Sequence, residues 1–183
     1  MLDRALPWLG IIRSIFNSSY WSFCNGSTMS TRSLFLLASI GSLSLLIGAF
    51  LFQYLGNMPP CKLCYWQRYP HTAAIILAVA AMITDFYGFT ALGFISTMLT
   101  SGIGAFHTGV ERGWWDGPQT CTSPSIENLS IEELITQIMS TPVVKCNDVS
   151  WQALGLSMAS WNMILSFGLA LIWFIALKRQ VTG

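Results

Sequence analysis

Two cysteines, Cys61 and Cys64, stand two residues apart in the stretch "PPCKLCYWQR", and Arg68 follows one helical turn after the second. Thiols at this spacing can ligate a metal, staple a loop or exchange disulfides. A second pair, Cys121 and Cys146, lies further on, and Cys24 stands apart. A four-cysteine zinc site is disfavoured, because Cys121 and Cys146 lack the close paired spacing of such sites. A Cys121–Cys146 disulfide would close a sizeable loop and stabilise it by about 2–4 kcal/mol. Closing Cys61 to Cys64 constrains almost nothing, so exchange chemistry explains that pair better. Pro59 and Pro60 end the preceding loop, and a helix beginning beside Cys61 would place a positive dipole end, Lys62 and Arg68 near the thiols. On that helix Cys61, Cys64 and Arg68 share one face. Arg68 is then either a lipid-boundary anchor or a hydrogen-bond donor to the polar head of an apolar redox partner. Its place one turn after the Cys-x-x-Cys favours the second role.

The elements that must hold these residues are membrane helices. The chain has 183 residues, 53% hydrophobic and 9% charged, with a mean hydropathy of +0.56. Soluble domains carry about 25% charged residues. A net charge of +1 provides no basic field for nucleic acid. Charged residues are absent between Arg32 and Lys62, Arg68 and Asp85, Asp85 and Glu111, and Asp148 and Lys178. Spans are expected at about 34–55, 64–84, 87–109 and 156–177, since roughly 20 apolar residues cross a bilayer. Backbone groups must pair internally in lipid, so the spans are helices. The expected fold is an all-α membrane protein, a four-transmembrane-helix bundle. The second uncharged run is short, and a re-entrant or interfacial segment is its alternative. In the third span a small residue recurs every fourth position, at Gly93, Thr97, Ser101, Ala105 and Gly109, a stripe that permits close helix packing.

Four spans put both termini on one side. Arg4, Arg13, Arg32, Lys178 and Arg179 make that side cytoplasmic. The domain then runs 34–177, between cytoplasmic tails 1–33 and 178–183, with outer loops at about 56–63 and 110–155. Trp114, Trp115 and Trp151 mark the outer boundary. The stretch "LDRALPWLGIIRSIF" reads as a weakly amphipathic surface helix, or else the natural start is Met29. Cys24 falls on the reducing side, and the other four cysteines fall outside. The long outer loop carries "LSIEELITQIM", where Ser130 and Glu133 form a capping box and Leu129 and Leu134 a hydrophobic staple. This short amphipathic helix would rest on the outer membrane surface or on other loop residues.

The motif "PPCKLCYWQR", the run "GAFHTGVERGWWDGPQTC" into Cys121 and "PVVKCNDVSW" around Cys146 together resemble the DsbB family, the quinone-linked thiol oxidases of the bacterial inner membrane. The resemblance covers about residues 34–177. It implies that a periplasmic thioredoxin-fold oxidase of the DsbA type attacks a Cys121–Cys146 disulfide. Cys121 would form the mixed disulfide, and Cys146 would pass electrons through an interloop bond with Cys61. Cys64 would meet a quinone, ubiquinone or menaquinone, held near Arg68. His107 and Glu111 are further candidates for the quinone contact, and His71 a weaker one. His107 reads equally as an interface histidine. No resident metal is implied, and the partners are the DsbA-like oxidase, lipid and the quinone pool. A DsbA-type oxidant sits near −120 mV, roughly, and a membrane quinone is a sink able to reoxidise it. The contrasting reading is a non-enzymatic membrane scaffold with a disulfide-stapled outer loop. Vitamin K epoxide reductase-like proteins place the loop cysteines before the Cys-x-x-Cys, the reverse of the order here. A transporter lacks support, since the spans show neither an ionisable relay nor repeated halves.

Overall fold

Four long helices follow from the four uncharged runs. A computed structural model describes residues 29–118 and 145–182, with Ser130, Glu132 and Ile135. Helix α1 spans Thr31–Tyr54, α2 Lys62–Thr84, α3 Tyr87–Glu111 and α4 Met158–Thr182. The surface-helix reading of the N-terminal stretch, Cys24, Cys121 and most of the loop helix expected near 131–139 lie outside the described residues. Within that loop, Glu132 and Ile135 are helical and exposed.

Each helix has local start and stop chemistry. Ser30 caps α1 by accepting the Ser33 N–H at 3.2 Å. Cys61 takes the same position for α2, its sulfur accepting the Cys64 N–H at 3.3 Å. Asp85 ends α2 in the left-handed region, with φ of 50°. Beyond α3, Gly113 adopts φ of +68°. Its N–H reaches Val110 O at 3.1 Å, and the Trp114 N–H reaches Gly109 O at 2.9 Å. That pair of bonds is a Schellman cap, which glycine closes without a Cβ penalty.

The fourth helix starts two residues later than the uncharged run suggests. Gln152–Ala153 and Leu156–Ser157 (β1 and β2) pair antiparallel, around a turn in which Leu154 and Gly155 both take positive φ. Two positive φ values in a two-residue loop match the twist of a tight hairpin. Ser157 then caps α4, accepting the Ser160 N–H at 3.2 Å. The Trp161 indole N–H donates to Ala153 O at 3.1 Å and ties the hairpin to α4.

Helix α3 packs against α2 and α4, and α1 against both as well. Many small residues line the core between them, Ala38, Ala78, Ala81, Ala170, Ala176, Ser42 and Ser166 among them, around the large buried side chains of Phe35 and Trp173. Small side chains let backbones approach where lipid removes the usual hydrophobic drive. The stripe on α3 is confirmed in part. Gly93, Thr97, Ser101 and Gly109 are buried, Gly109 against the Trp115 ring of the following turn, but Ala105 is exposed and Gly104 and Thr108 are buried beside it. Four residues overshoot a turn of 3.6 residues by about 40°, so a strict four-residue stripe rotates off the interface. A Cβ at Gly104 would lie 3.0 Å from Met163 N and 3.2 Å from Ala159 O.

The outward faces carry Leu37, Ile40, Ile47 and Leu51 from α1, Ile76, Val79 and Ile83 from α2, Ile95 and Leu99 from α3, and Phe167, Leu171 and Phe174 from α4. An apolar belt of this extent marks a membrane contact. Helices α1, α3 and α4 are long and apolar enough to cross a bilayer, and the chain is an all-helical membrane protein apart from its small hairpin. Helix α2 is 23 residues long but less apolar, because Lys62, Gln67, Arg68 and His71 lie in its first half.

The two ends of the helices differ. At one end Arg32 reaches Asp85 at 3.5 Å, Gln180 meets the Thr90 hydroxyl at 2.6 Å, and Arg179 donates to the Met29 carbonyl. At the other end lie Cys61, Cys146 and the hairpin.

Candidate functional site

The Cys-x-x-Cys opens the site. Cys61 is only 5% exposed, and its sulfur lies 2.8 Å from that of Cys64. Both are free thiols. The hydrogen bond to the Cys64 sulfur and, after it, burial push the Cys61 thiol up.

Helix α3 delivers His107 beside them. Its Nε2 lies 3.6 Å from the Cys61 sulfur. Gln67 of α2 donates its amide to His107 Nδ1 at 2.9 Å. An accepting Nδ1 leaves the proton on Nε2, facing the sulfur. Glu111 Oε1 lies 3.8 Å from the same Nε2. Backbone of Cys146 also hydrogen-bonds this imidazole. Cys146 is itself disulfide-bonded and packs with Cys61, Leu63 and Val110 in one buried cluster. Cys121, the remaining candidate, lies outside the described residues. The ligand-type atoms of Cys61, Cys64 and His107 fall within 4.8 Å of one another. Sequence spacing spoke only to a four-cysteine zinc site, whereas this convergence mixes two cysteines with a histidine from another helix.

Arg68 points across to α1. Its Nη1 donates to Gln53 Oε1 at 2.6 Å and its Nη2 to Ala49 O at 3.2 Å. The guanidinium also lies 4.9 Å from the Phe50 ring centre and 5.3 Å from that of Tyr65. It is therefore tethered between helices rather than extended toward the membrane surface, and its rigid fork is used at both ends.

These residues line a cavity of about 450 Å³. Its polar side holds Cys61, Cys64, Arg68, His107 and Glu111, and its apolar side holds residues such as Leu45, Phe52, Trp161 and Leu165. A few convergent polar groups on a mainly apolar wall between helices is the usual form of a small-molecule site. Trp151 lines it as well, its ring centre 5.1 Å from that of Phe52. Of the site residues expected within the described regions, Cys61, Cys64, Arg68, His71, His107 and Glu111 line this cavity, and Cys146 packs with Cys61 beside it. On the residues that line this cavity, two buried polar atoms remain without a partner among the described residues, His71 Nδ1 and Glu111 Oε2.

Sequence reasoning missed Gln53, Gln67 and Asn162. Gln53 and Asn162 are amides inside apolar spans, and intramembrane polar residues point to function by default. Gln67 was hidden by its position beside the more conspicuous Arg68.

The comparisons agree with this geometry. The family model of DsbB, disulfide bond formation protein DsbB, matches residues 31–176. A disulfide bond formation protein B of Xanthomonas oryzae pv. oryzae is 31% identical over 85% of this chain and 90% of its own. One of Hahella chejuensis is 28% identical over 83% of this chain and 96% of its own. An uncharacterized protein of Rickettsia prowazekii is 29% identical over 70% of this chain and 76% of its own. No solved structure matches. With its thiol pair, its buried histidine and its membrane helices in place, the chain belongs to the DsbB family and serves disulfide bond formation as a membrane disulfide oxidoreductase.

Proposed function

We propose that this protein reoxidises a DsbA-like periplasmic oxidase and passes the electrons to a membrane quinone. The observation that carries the reading is the cavity among the four helices, where the Cys61–Cys64 pair meets a mainly apolar wall. The residues present suit a quinone: an apolar wall for the ring and tail, and Arg68 to donate to a ring oxygen.

On this reading α2 is the fourth membrane span, its polar residues turned to the cavity and Ile76, Val79 and Ile83 to lipid. Both termini are cytoplasmic, and the thiol end is periplasmic, in the bacterial inner membrane. A thiolate of the reduced partner attacks Cys121 in a Cys121–Cys146 disulfide and frees the Cys146 thiolate. Cys146 attacks Cys61 in its disulfide with Cys64, and the Cys64 thiolate leaves. The partner's second thiol displaces Cys121, and the partner departs oxidised. Cys121 then attacks Cys146, restoring that disulfide and freeing Cys61. The balance is one disulfide formed in the partner and one reduced at Cys61–Cys64, with no net change at Cys121–Cys146. A quinone in the cavity supplies the sink for two electrons and two protons. His107 N–H stabilises negative charge at Cys61, and Arg68 orients a carbonyl oxygen beside Cys64.

The test is turnover of purified protein with ubiquinone and a reduced DsbA-like protein. Quinone reduction should be fast for the native chain and lost in a Cys61→Ser/Cys64→Ser double variant. Equal rates for the two would sink the proposal and leave the disulfide-stapled scaffold, which needs neither cysteine.

A further inference from the structure

His71 lines the same cavity two turns below Cys64, seven residues or about 10 Å further along the α2 axis. Cys64, Arg68 and His71 lie on one side of the helix. The disulfide exchange just described uses no residue so deep. Yet His71 is 2% exposed and held by a chain of hydrogen bonds running through three side chains.

The chain fixes its tautomer. Thr100 Oγ1 donates its one proton to Gln67 O at 3.0 Å, so toward other groups it can only accept. Asn162 Nδ2 donates to that oxygen at 3.3 Å. The Asn162 amide is thereby oriented, and its Oδ1 faces His71 Nε2 at 3.1 Å. Ser166 sits beside both, 3.2 Å from Nε2 and donating to Asn162 Oδ1 at 3.4 Å. An amide oxygen has no proton to give, so His71 carries its proton on Nε2. Nδ1 is then a lone pair, and it has no partner among the described residues. A buried acceptor left unsatisfied is costly. Here four residues from three helices cooperate to produce one in a cavity wall.

A lone-pair acceptor cannot bind a quinone carbonyl, which also accepts. It can bind the hydroxyl of the reduced ring. We propose that His71 is a second polar anchor of the cavity, a hydrogen-bond acceptor that recognises the quinol. The inference rests on the quinone reading above and adds a preference between the two ring forms. When the dithiol reduces the ring, Cys61 and Cys64 lose two electrons and two protons and form one S–S bond, while two O–H bonds form on the ring. His71 gains and loses no proton. It accepts a hydrogen bond from one new hydroxyl, and Arg68 and the cysteines face the other end. Thr100, Asn162 and Ser166 are positioning residues that act through the histidine.

The experiment compares the binding of short-chain ubiquinone and ubiquinol to the full chain carrying Cys64→Ser, which prevents turnover. Quenching of the cavity tryptophans Trp151 and Trp161 gives the readout. His71→Phe should weaken quinol binding about five- to ten-fold, the loss of one hydrogen bond, and change quinone binding less than about two-fold. Imidazole ¹⁵N spectra of the unsubstituted chain, which need no variant to fold, should show His71 protonated at Nε2 and bare at Nδ1. Protonation at Nδ1, equal losses for both ring forms, or no loss for either would overturn the inference. The two proposals fail separately. A native chain that reduces no quinone removes the function, whereas one that does so while His71→Phe treats both forms alike removes only the anchor.

Discussion

The two ends of the bundle hold similar side chains in opposite conditions. At the end formed by the start of α1, the α2–α3 turn and the close of α4, Arg32 and Asp85 meet with side chains 43% and 64% exposed. At the thiol end, His107 and Glu111 meet with side chains 6% and 7% exposed. Exposed pairs gain little, because water and salt screen them. Buried polar groups cost free energy unless paired, and the thiol end accepts that cost at His71 Nδ1 and Glu111 Oε2. Only a compensating use retains such groups in an apolar bundle. The charged end trims and orients helices, and the thiol end holds the groups that the proposed chemistry needs.

The sharpest way to break this contrast is to remove chemistry without removing packing. Cys64→Ser deletes one sulfur and keeps nearly the same volume. Quinone reduction driven by the reduced partner should fall by at least about a hundred-fold, with the thermal midpoint little changed. Stopped-flow absorbance of the quinone checks the first and circular dichroism the second. A variant that keeps its activity would put the reactive sulfur elsewhere.

Arg68 tests whether a charge at the thiol end is used for binding or for holding helices together. Its bonds to Gln53 and Ala49 O tie α2 to α1. Arg68→Ala should raise KM for quinone about ten-fold, as loss of a charged hydrogen-bond donor. Gln53→Leu should leave the guanidinium charge in the cavity but free its aim, and its KM should rise less. If the two variants lose equally, the role of Arg68 is structural.

How far the sequence reached follows the same divide. Charge gaps located the four helices, because free charges do not sit in lipid. The Cys-x-x-Cys and Arg68 were legible since their spacing alone places them on one helical face. The depth of the cavity was not. It depends on Asn162 and Thr100 meeting His71 across three helices, and one-dimensional spacing within a helix carries no trace of which neighbour it faces. The small-residue stripe is legible at Gly93, Thr97 and Ser101 and fails at Ala105, since a four-residue repeat drifts off the interface after a few turns, while Gly109 is buried by Trp115 of the following turn. The start of α4 was displaced by the hairpin, whose Leu154–Gly155 turn is hard to read because leucine rarely takes a positive φ.

The smallest expected effect lies at the charged end. Asp85 takes φ of 50° at the end of α2, a conformation that asparagine tolerates as well as aspartate. Asp85→Asn therefore removes the ion pair with Arg32 while keeping the turn. The pair is exposed, so the loss should be no more than about 1 kcal/mol. Thermal unfolding in detergent measures it at low and high salt. The native chain should lose a little stability as salt rises, and the variant should not. Turnover with quinone should be the same for both. A large loss of activity from Asp85→Asn would mean that the two ends are coupled through α2, and the division of labour between them would have to be given up.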